Sequence, residues 1–447
     1  MKGLRFNYKN TAGVAENDIK KIAERAEQYR LKLAEIADKQ DWSAEEASIL
    51  LPDQNREALD AALKIYKNKQ LRFVIVIGIG GSILGTQAIY NALRKTDYIN
   101  GADAPQMLFL DALDERRLAD ILSLLDKKIN GAEEIVINVV SKSGRTVETL
   151  ANFEILASEL SKRFGDILSR VVATTDENSP LWKIAKGKNI RTLPIPKMVG
   201  GKFSVLSPVG LFPLELCGIS ARELLEGARA ARAFCLAEAI EDNPALTRAA
   251  VIFTLAEKGK NILNNFFFNP EMRSVGQWYR QLIGEGLGNR LNRDGAVVRN
   301  GITPLVSLGS TDLHSMLQLY LGGPTDKITT FIFSPATEYN LRIPENKIFG
   351  TIKNIGRASA LKLTRAMYEG VTASYLKEKL PFLEIQLSVI SAQTLGALLQ
   401  TFMLEIMYLA HLQNVNAFDQ PSVELYKQEM RDKLSKNKND GRPTSVI

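Results

Sequence analysis

Short, uninterrupted apolar runs alternate along the chain with segments whose apolar residues recur every three or four positions. The first run, 73–77, precedes a helical pattern that ends near Leu93, and further runs follow at 107–110, 135–140 and 170–173. A continuous apolar run is typical of a strand that is covered on both faces, as in a parallel sheet. The alternation therefore predicts an α/β fold, with helices on both faces of a parallel sheet.

The second half of the chain repeats this alternation. Helical patterns at 245–257 and 271–283 enclose a strand-like run at 261–267, and two further strands are predicted at 303–307 and 328–333. The halves share an order of elements but no obvious sequence repeat. We therefore expect a second α/β domain of similar architecture.

Three segments lie outside these two sets. The amphipathic pattern of 18–39 predicts one helix, part of a peripheral arm that precedes every strand. Pro and Gly residues in 195–213 indicate a crossing between domains. The longest apolar stretch, 395–412, is interrupted by Gln400 and Glu405, so we interpret it as a buried core helix and not as a membrane span.

These patterns divide the chain into four parts. We assign an N-terminal helical arm to 1–45, a first domain to 46–210, a second domain to 211–430 and a basic tail to 431–447. The segment 1–10 is charged and lacks the apolar centre of a secretory signal. A cytoplasmic protein with no membrane partner is therefore expected.

Composition adds few constraints. Hydrophobic residues make up 45% of the chain and charged residues 24%, which is ordinary for a globular protein. The net charge of +7 suits anionic ligands in general, whereas nucleic-acid binding would require the charge to lie on one stripe. Basic residues of the tail are expected to form a solvated helical face, so no nucleic-acid partner is predicted. Cys217 and Cys235 are expected to be reduced and buried, because their spacing fits neither a CxxC pair nor a zinc site.

A glycine turn, defined here as residues 78–85 (GIGGSILG), follows the first predicted strand and opens a helix. Its central residues, Gly80, Gly81 and Ser82, allow the backbone to turn tightly and to approach an anion at the helix N-terminus. The glycine spacing is not the GxGxxG of a dinucleotide site, and no P-loop lysine follows. The turn therefore fits an anion site and also a plain strand-to-helix connection.

A hydroxyl loop, defined here as residues 141–146 (SKSGRT), also follows an apolar run and precedes a helix. Ser141, Ser143 and Thr146 supply hydroxyls and Lys142 a cation, and such donors can satisfy the oxygens of a phosphate monoester. Ligands of open parallel sheets bind at this edge, beyond the carboxyl ends of the strands. A helix cap by Ser143 or Thr146 would explain one hydroxyl but not all three together with the lysine. We favour an anion site.

Proton transfer has four candidate side chains. Glu285 lies between glycines at the predicted end of a helix, where the helix dipole disfavours a negative charge by about 0.3–1 kcal/mol. His314 follows a predicted strand, a position equally suited to function and to a helix start, whereas His411 lies among apolar residues and is interpreted as a core or helix-end histidine. Lys427 lies on a predicted terminal helix, where its spacing also fits a solvated charge. With only two histidines in the chain, a histidine-rich metal centre is not expected.

Six of these segments, read in order, resemble the phosphoglucose isomerase family, and the resemblance extends from about Phe73 to Lys427. The segments are GIGGSILG, SKSGRTVET, VGGKFSVLSPVGL, QLIGEGLG, HSMLQ and FDQPSVELYK. The resemblance implies two sugar-isomerase (SIS) domains, each a flavodoxin-like, doubly wound parallel sheet, with an N-terminal helical arm and a C-terminal helix. It also implies reversible conversion of glucose 6-phosphate to fructose 6-phosphate, in glycolysis and gluconeogenesis, with no metal or other cofactor.

The same resemblance assigns roles to the phosphate-binding residues. Ser82 of the glycine turn, with Gly80 and Gly81 beside it, matches a substrate-contacting turn of the family. The residues that match its phosphate cradle are Ser141, Lys142, Ser143 and Thr146.

The family resemblance also assigns the groups that act on the sugar. Glu285 matches the base that moves a proton between C2 and C1, and Gln420 belongs to a substrate-contacting segment. His314 matches the ring-opening histidine, which in this family reaches the site from the neighbouring subunit of a homodimer, and Lys427 matches a lysine that assists ring opening. Lys202 takes the position of an arginine that stabilises the enediol intermediate.

Two motifs depart from the family pattern. Lys202 replaces the arginine of GGRxS, which keeps the charge but loses the planar two-pronged donor geometry. The usual ESxGK around the base is EGLGN here, from Glu285 to Asn289, so a hydroxyl and a lysine are lost.

Other functions remain open at this point. A non-catalytic sugar-phosphate sensor on the same fold would keep the phosphate loops and lose the base, and the altered flanks of Glu285 leave that reading available. An isomerase of mannose or amino-sugar phosphates would need the same groups. A glutamine-dependent aminotransferase is disfavoured, because Met1 and Lys2 offer no N-terminal cysteine nucleophile.

Overall fold

A computed structural model describes residues 3–94, 104–345, 348–349, 353 and 355–439. Ten strands form two five-stranded sheets within the described residues. The strands are β1 (Leu4–Asn7), β2 (Phe73–Ile77), β3 (Gln106–Leu110), β4 (Ile135–Val140), β5 (Val171–Thr175), β6 (Arg191–Pro194), β7 (Ile262–Phe267), β8 (Thr303–Leu308), β9 (Lys327–Phe333) and β10 (Phe382–Leu387).

Helices connect the strands and enclose the sheets. They are α1 (Glu16–Glu24), α2 (Glu27–Lys39), α3 (Glu57–Tyr66), α4 (Leu84–Leu93), α5 (Glu115–Lys128), α6 (Val147–Phe164), α7 (Pro180–Gly187), α8 (Pro208–Leu216), α9 (Ala221–Cys235), α10 (Pro244–Glu257), α11 (Arg273–Leu287), α12 (Thr311–Ser315), α13 (Leu317–Gly322), α14 (Ala360–Lys377), α15 (Ala392–Leu412) and α16 (Val423–Asn439).

The first sheet has the strand order β3-β2-β4-β5-β6, and every pair in it is parallel. Counted along the chain within the sheet, this is the 2-1-3-4-5 order of flavodoxin-like folds. Alternate residues of β2 enter different apolar cores: Val74 and Val76 pack on the side of α3, α4 and α8, whereas Phe73, Ile75 and Ile77 pack on the side of α5, α6 and α7. Both faces are thus covered, and the predicted parallel sheet is confirmed.

The second sheet has the order β8-β7-β9-β10-β1, which is again 2-1-3-4 with a fifth strand at the edge. That edge strand is β1, which lies antiparallel to β10 with Leu4 opposite Leu387. The prediction that the arm precedes every strand is therefore wrong. The run is only four residues long and includes the exposed Arg5, so it lacks the continuous apolar pattern by which the other strands are recognised.

The predicted helix at 18–39 is also divided. It forms two helices, α1 and α2. At the break between them, backbone hydrogen bonds span three residues instead of four, from the Arg25 amide to the Ile22 carbonyl and from the Ala26 amide to the Ala23 carbonyl. Ala26 is fully buried, so the chain turns where a small side chain meets the core. The apolar period continues through the break, and the sequence alone therefore does not reveal it.

The structure also changes two of the predicted segment assignments. The segment 195–213, expected to be a crossing, does follow the last strand of the first sheet, but it already contains the start of α8 at Pro208. The tail assigned to 431–447 begins as a continuation of α16 to Asn439, and its remainder, 440–447, lies outside the described residues.

The apolar stretch near the C-terminus forms α15, the one described helix that is long and apolar enough to cross a membrane. The structure buries 94% of its most apolar window, which confirms the interpretation as a core helix. Glu405 on this helix is fully buried and accepts hydrogen bonds from Arg248 Nε at 2.5 Å and from the Tyr279 hydroxyl. His411, at its last turn, stacks on Tyr29 with ring centroids 4.5 Å apart. Glu405 thus has partners inside the core, as expected of a buried charge, whereas neither polar side-chain atom of the buried Gln400 has a hydrogen-bond partner among the described residues.

Both cysteines are free and buried, as expected. Burial raises the pKa of the Cys217 thiol to about 12 and that of the Cys235 thiol to about 12. Neither has the thiolate character that reactive cysteines need.

A close helix crossing provides a test of the packing. A methyl group added at Gly396 of α15 would overlap the Leu224 carbonyl oxygen of α9, whereas one at the exposed Gly370 of α14 would meet nothing within 4 Å. Gly396→Ala should therefore lower the free energy of unfolding by about 1–3 kcal/mol, since a backbone must move to admit the methyl group. Gly370→Ala should raise it by about 0.5–1 kcal/mol through helix propensity. Urea unfolding of the two variants checks this prediction, and equal unfolding midpoints for both variants would contradict the close contact between α15 and α9.

Candidate active site

The candidate site lies where the strand order of the first sheet reverses, between β2 and β4. Ligands of doubly wound sheets bind at such a switch point, beyond the carboxyl ends of the strands. The glycine turn follows β2 and the hydroxyl loop follows β4, and a Cβ placed on Gly78 would lie 3.3 Å from the Val140 carbonyl oxygen. The two loops predicted from the sequence to bind an anion are therefore neighbours.

Two side chains of the hydroxyl loop hydrogen-bond each other, and within the described part of the chain the N-terminal amides of α6 receive no side-chain cap. Ser141 Oγ and Thr146 Oγ1 lie 2.9 Å apart, and Ser143 Oγ accepts a bond from the Arg145 amide at 3.3 Å. Thr146 is the N-cap residue of α6, yet among the described residues its side chain caps no amide of that helix. Simple capping therefore does not account for these hydroxyls, and the α6 N-terminus keeps amides that can bind an anion.

Lys142 differs from the other members of the loop. Its Nζ donates to the Lys197 carbonyl oxygen at 2.8 Å, so the structure ties its ammonium to a neighbouring segment. Burial lowers the pKa of Lys142, and Asp176 nearby opposes that change. Burial likewise raises the pKa of Asp176, opposed by Lys142 and Lys197. Lys142 thus adds positive charge behind the loop while its hydrogen bond shapes the backbone.

Beyond the glycine turn, the chain contacts the segment that carries Lys202. A methyl group on Gly81 would overlap the Gly201 carbonyl group and the Lys202 amide, so the two backbones touch. Ser204 Oγ bridges them, donating to Gly201 O at 2.7 Å and lying 3.3 Å from Gly81 O. Gly80 has φ +56°, and a Cβ there would lie 2.9 Å from Gln281 Nε2. Glycines are required here because side chains would separate the loops.

Glu285 lies in the last turn of α11, half-buried, with its carboxylate held by two amides. Gln281 Nε2 donates to Oε1 at 2.9 Å and Gln420 Nε2 donates to Oε2 at 2.5 Å. The two flanking glycines differ in their surroundings. Gly284 faces open space, whereas a methyl group on Gly286 would lie 2.6 Å from an Ile406 methyl group of α15. Glu285 itself is only half-buried, so part of its side chain remains accessible to a ligand.

Lys202 is almost completely buried beside this carboxylate-bearing turn, with 1% of its surface exposed. Its Nζ lies 3.3 Å from the Glu285 carbonyl oxygen, to which it donates, and this carbonyl is one of the four that α11 cannot pair within itself. A cation at a helix C-terminus is favoured by the helix dipole. Burial nevertheless lowers the pKa of Lys202 to about 8, while the charges of Glu285 and Asp419 act to raise it.

The departure at Asn289 has a structural role. Asn289 Nδ2 donates to the Asn416 carbonyl oxygen at 3.0 Å, and its backbone pairs with that of Asn300. The chain that follows α11 is thereby attached to the segment that leads to Gln420. Asn289 thus helps to hold the second amide donor over Glu285.

His314 and Lys427 are not brought to this carboxylate. His314 is exposed on α12 and lines an open groove between α13 and α14, and Lys427 on α16 donates to Glu424 Oε1 at 2.7 Å. Within the described part of a single chain, neither side chain hydrogen-bonds Glu285. Their predicted roles therefore depend on rearrangement or on a second chain.

Gln281 is the site residue that sequence reasoning missed. It lies four residues before Glu285 on the same helix, so the two side chains share one face. That spacing was available in the sequence, but a glutamine four residues from a glutamate is common on helix surfaces. What distinguishes this pair is that Gly80 lies close to Gln281 and that Gln420 hydrogen-bonds Glu285.

Fold and site together place the chain in the class of α/β proteins built on doubly wound parallel sheets, with two loops predicted to bind an anion and a carboxylate held by two amides. The family model described as phosphoglucose isomerase matches residues 16–445. The chain belongs to the phosphoglucose isomerase family.

Relatives and solved structures agree with this assignment. The chain is 34% identical over 383 residues to the glucose-6-phosphate isomerase of Carboxydothermus hydrogenoformans, covering 84% of this chain and 81% of that protein. It is 32% identical over 425 residues to that of Methanocaldococcus jannaschii, covering 94% and 97%. A hypothetical protein from Thermus thermophilus superposes with a TM-score of 0.84 at 28% identity, over 96% of this chain and 99% of that one. A Chlamydia trachomatis glucose-6-phosphate isomerase gives 0.81 at 20% identity, over 99% and 90%, and supports the fold.

Proposed function

We propose that this protein interconverts glucose 6-phosphate and fructose 6-phosphate by ring opening and proton transfer through a cis-enediol. The observation that carries the proposal is the Glu285 carboxylate, held between Gln281 and Gln420 on a half-buried helix end beside the Lys202 ammonium. The names of its relatives, which are at least 32% identical over most of the chain, support the same reaction.

The phosphate is held by the hydroxyl loop. Ser141, Ser143 and Thr146 present hydroxyls at the uncapped N-terminus of α6, whose amides and dipole favour an anion. Gly81 lets the backbone of the glycine turn approach the Gly201–Lys202 peptide, whereas Gly78 lies next to Val140, the residue before the hydroxyl loop. A phosphate anchored here would orient carbons C1 and C2 toward Glu285, so that binding at one end serves the chemistry at the other.

Glu285 acts as the base. It removes the proton from C2 of the open-chain aldose as the C1 carbonyl oxygen gains charge, which gives the enediolate. The proton of the C2 hydroxyl passes to the C1 oxygen, and Glu285 returns its proton to C1 as the carbonyl forms at C2, which gives the ketose. Two amide donors orient the carboxylate without neutralising it, because an amide has no proton to transfer at neutral pH. The Lys202 ammonium, which lies beside the same turn, stabilises the negative enediolate.

Ring opening is assigned to His314 and Lys427. Histidine exchanges protons near neutral pH and an ammonium can polarise a ring oxygen. His314 is exposed on a groove of about 680 Å³ whose wall includes Leu313, Leu317 and Leu321. We propose that a second copy of the chain docks on this surface and that each subunit supplies His314 to the other's Glu285, as a twofold interface permits.

Loss of the base is the first test. Glu285→Gln keeps the shape of the side chain, replaces one of its two accepting oxygens with an NH2 group and cannot accept a proton, so kcat should fall about 10²–10⁴-fold while fructose 6-phosphate still binds. The exposed Glu257→Gln at the end of α10 is the matched control and should retain full activity. A coupled assay for fructose 6-phosphate measures both, and near-normal turnover by the first variant would remove Glu285 from the mechanism.

Loss of hydroxyls is the second test. Ser143→Ala combined with Thr146→Ala removes two donors, so KM for glucose 6-phosphate should rise roughly tenfold or more, at about 1 kcal/mol for each hydrogen bond. The exposed Ser158→Ala, further along α6, serves as the control. An unchanged dissociation constant for the sugar phosphate would refute the phosphate-binding role of the loop.

Exchange of groups between subunits can be tested with two inactive variants. His314→Ala and Glu285→Gln chains, co-expressed, would form mixed dimers in which one site has both groups intact and the other has neither. Random pairing should restore about one quarter of wild-type activity, because half of the dimers are mixed and each has one complete site. If co-expressed chains stay as inactive as the separate variants while forming mixed dimers, His314 does not act across an interface.

A further inference from the structure

Lys202 is enclosed by three segments that offer it few partners. The glycine turn lies on one side, the end of α11 on another and the segment around Asp419 on a third. Its ammonium has three donors, but the described residues give it one hydrogen bond, to the Glu285 carbonyl oxygen. No carboxylate oxygen within the described ranges lies close enough for an ion pair. A buried cation with unmatched donors has a high desolvation cost.

Charges facing Lys202 offset only part of that cost. From α11 it faces Glu285 and the negative end of the helix dipole, and from the C-terminal segment it faces Asp419. The glycine turn contributes Gly80, Gly81 and Ser82, none of which carries a charge. The ring of Phe203 lies 5.9 Å from Nζ. These attractions fall short of full compensation, and burial therefore leaves the pKa of Lys202 at about 8.

We propose that, in mildly alkaline solution, Lys202 takes up a proton together with the anionic sugar intermediate, and that Asp419 acts as a positioning residue that keeps this lysine protonated in the empty site. This inference rests on the proposed function, because it concerns the cation at the same site. The bound anion would supply the two hydrogen-bond acceptors that the ammonium lacks, so the charged lysine and the anion stabilise each other. The proton comes from the acid form of the buffer, and the neutral amine becomes the ammonium as the anion binds.

The sign of the effect follows from this coupling. Below about pH 7 the lysine is already charged, so binding takes up no proton at this position. Above about pH 8 a growing share of free protein carries the neutral amine, so binding must be accompanied by protonation and weakens as pH rises. An arginine stays charged throughout this range, and it would show no such coupling.

Calorimetry can count this proton. The probe is 5-phosphoarabinonate, a phosphorylated aldonate whose carboxylate places negative charge where the enediolate would form. Its binding heat is measured at about pH 8.5 in two amine buffers that differ in ionisation enthalpy. The wild-type protein should take up a measurable fraction of a proton per ligand, because part of the free protein carries the neutral amine at that pH. Lys202→Arg should take up about none, because the phosphate is fully ionised in both measurements.

The role of Asp419 is tested in the pH profile of kcat/KM. Asp419→Asn removes a charge that favours the ammonium, so the alkaline decline should begin at lower pH than in the wild-type protein. The exposed Asp18→Asn, on α1, is the control and should leave the decline in place. This measurement does not depend on the folding of the arginine variant.

The outcomes separate the inference from the proposed function. If wild-type protein binds the aldonate and isomerises glucose 6-phosphate, but its binding heat is independent of buffer, the proton coupling is wrong and the function stands. An alkaline decline unmoved by Asp419→Asn would overturn the role of Asp419. Absence of both isomerisation and aldonate binding at neutral pH would instead refute the proposed function.

Discussion

The site depends on one close backbone contact, between Gly81 and the Gly201–Lys202 peptide. No side chain fits between these segments, so their separation is fixed by backbone packing and not by flexible groups. The contact joins the turn after β2, in the first sheet, to the residue that meets the end of α11, beside the second sheet. The spacing between the proposed phosphate-binding edge and Glu285 is therefore a property of how the two sheets are assembled.

Neutral donors orient the carboxylate that we propose as the base. A direct ion pair would tie the Glu285 carboxylate to the Lys202 ammonium. Instead the ammonium bonds the backbone carbonyl of Glu285, and the carboxylate is oriented by Gln281 and Gln420. The cation is thus close enough to stabilise a developing enediolate without being paired directly with the base.

Sequence patterns predict those features of the fold that depend on residues close together in the chain. The buried strands, the two loops at their carboxyl ends and the core helix α15 all follow from apolar periodicity and composition, and the structure confirms them. The pairing of β1 with β10 could not be predicted, because it joins Leu4 to Leu387 across the chain and four residues carry too little pattern. The same holds for Gln281, whose role depends on the closeness of Gly80. Lys142 was expected to face an anion, but its partner at Lys197 is set by tertiary packing.

Two helix ends of opposite polarity provide the electrostatic arrangement of the site. The N-terminus of α6, beside Ser141 and Thr146, has positive character and suits the phosphate. The C-terminus of α11 has negative character, which disfavours the charge of Glu285 and favours that of Lys202. The sugar would therefore lie between a positive end that holds its phosphate and a negative end that promotes removal of its proton, and the buried lysine offsets the negative end only while it stays protonated.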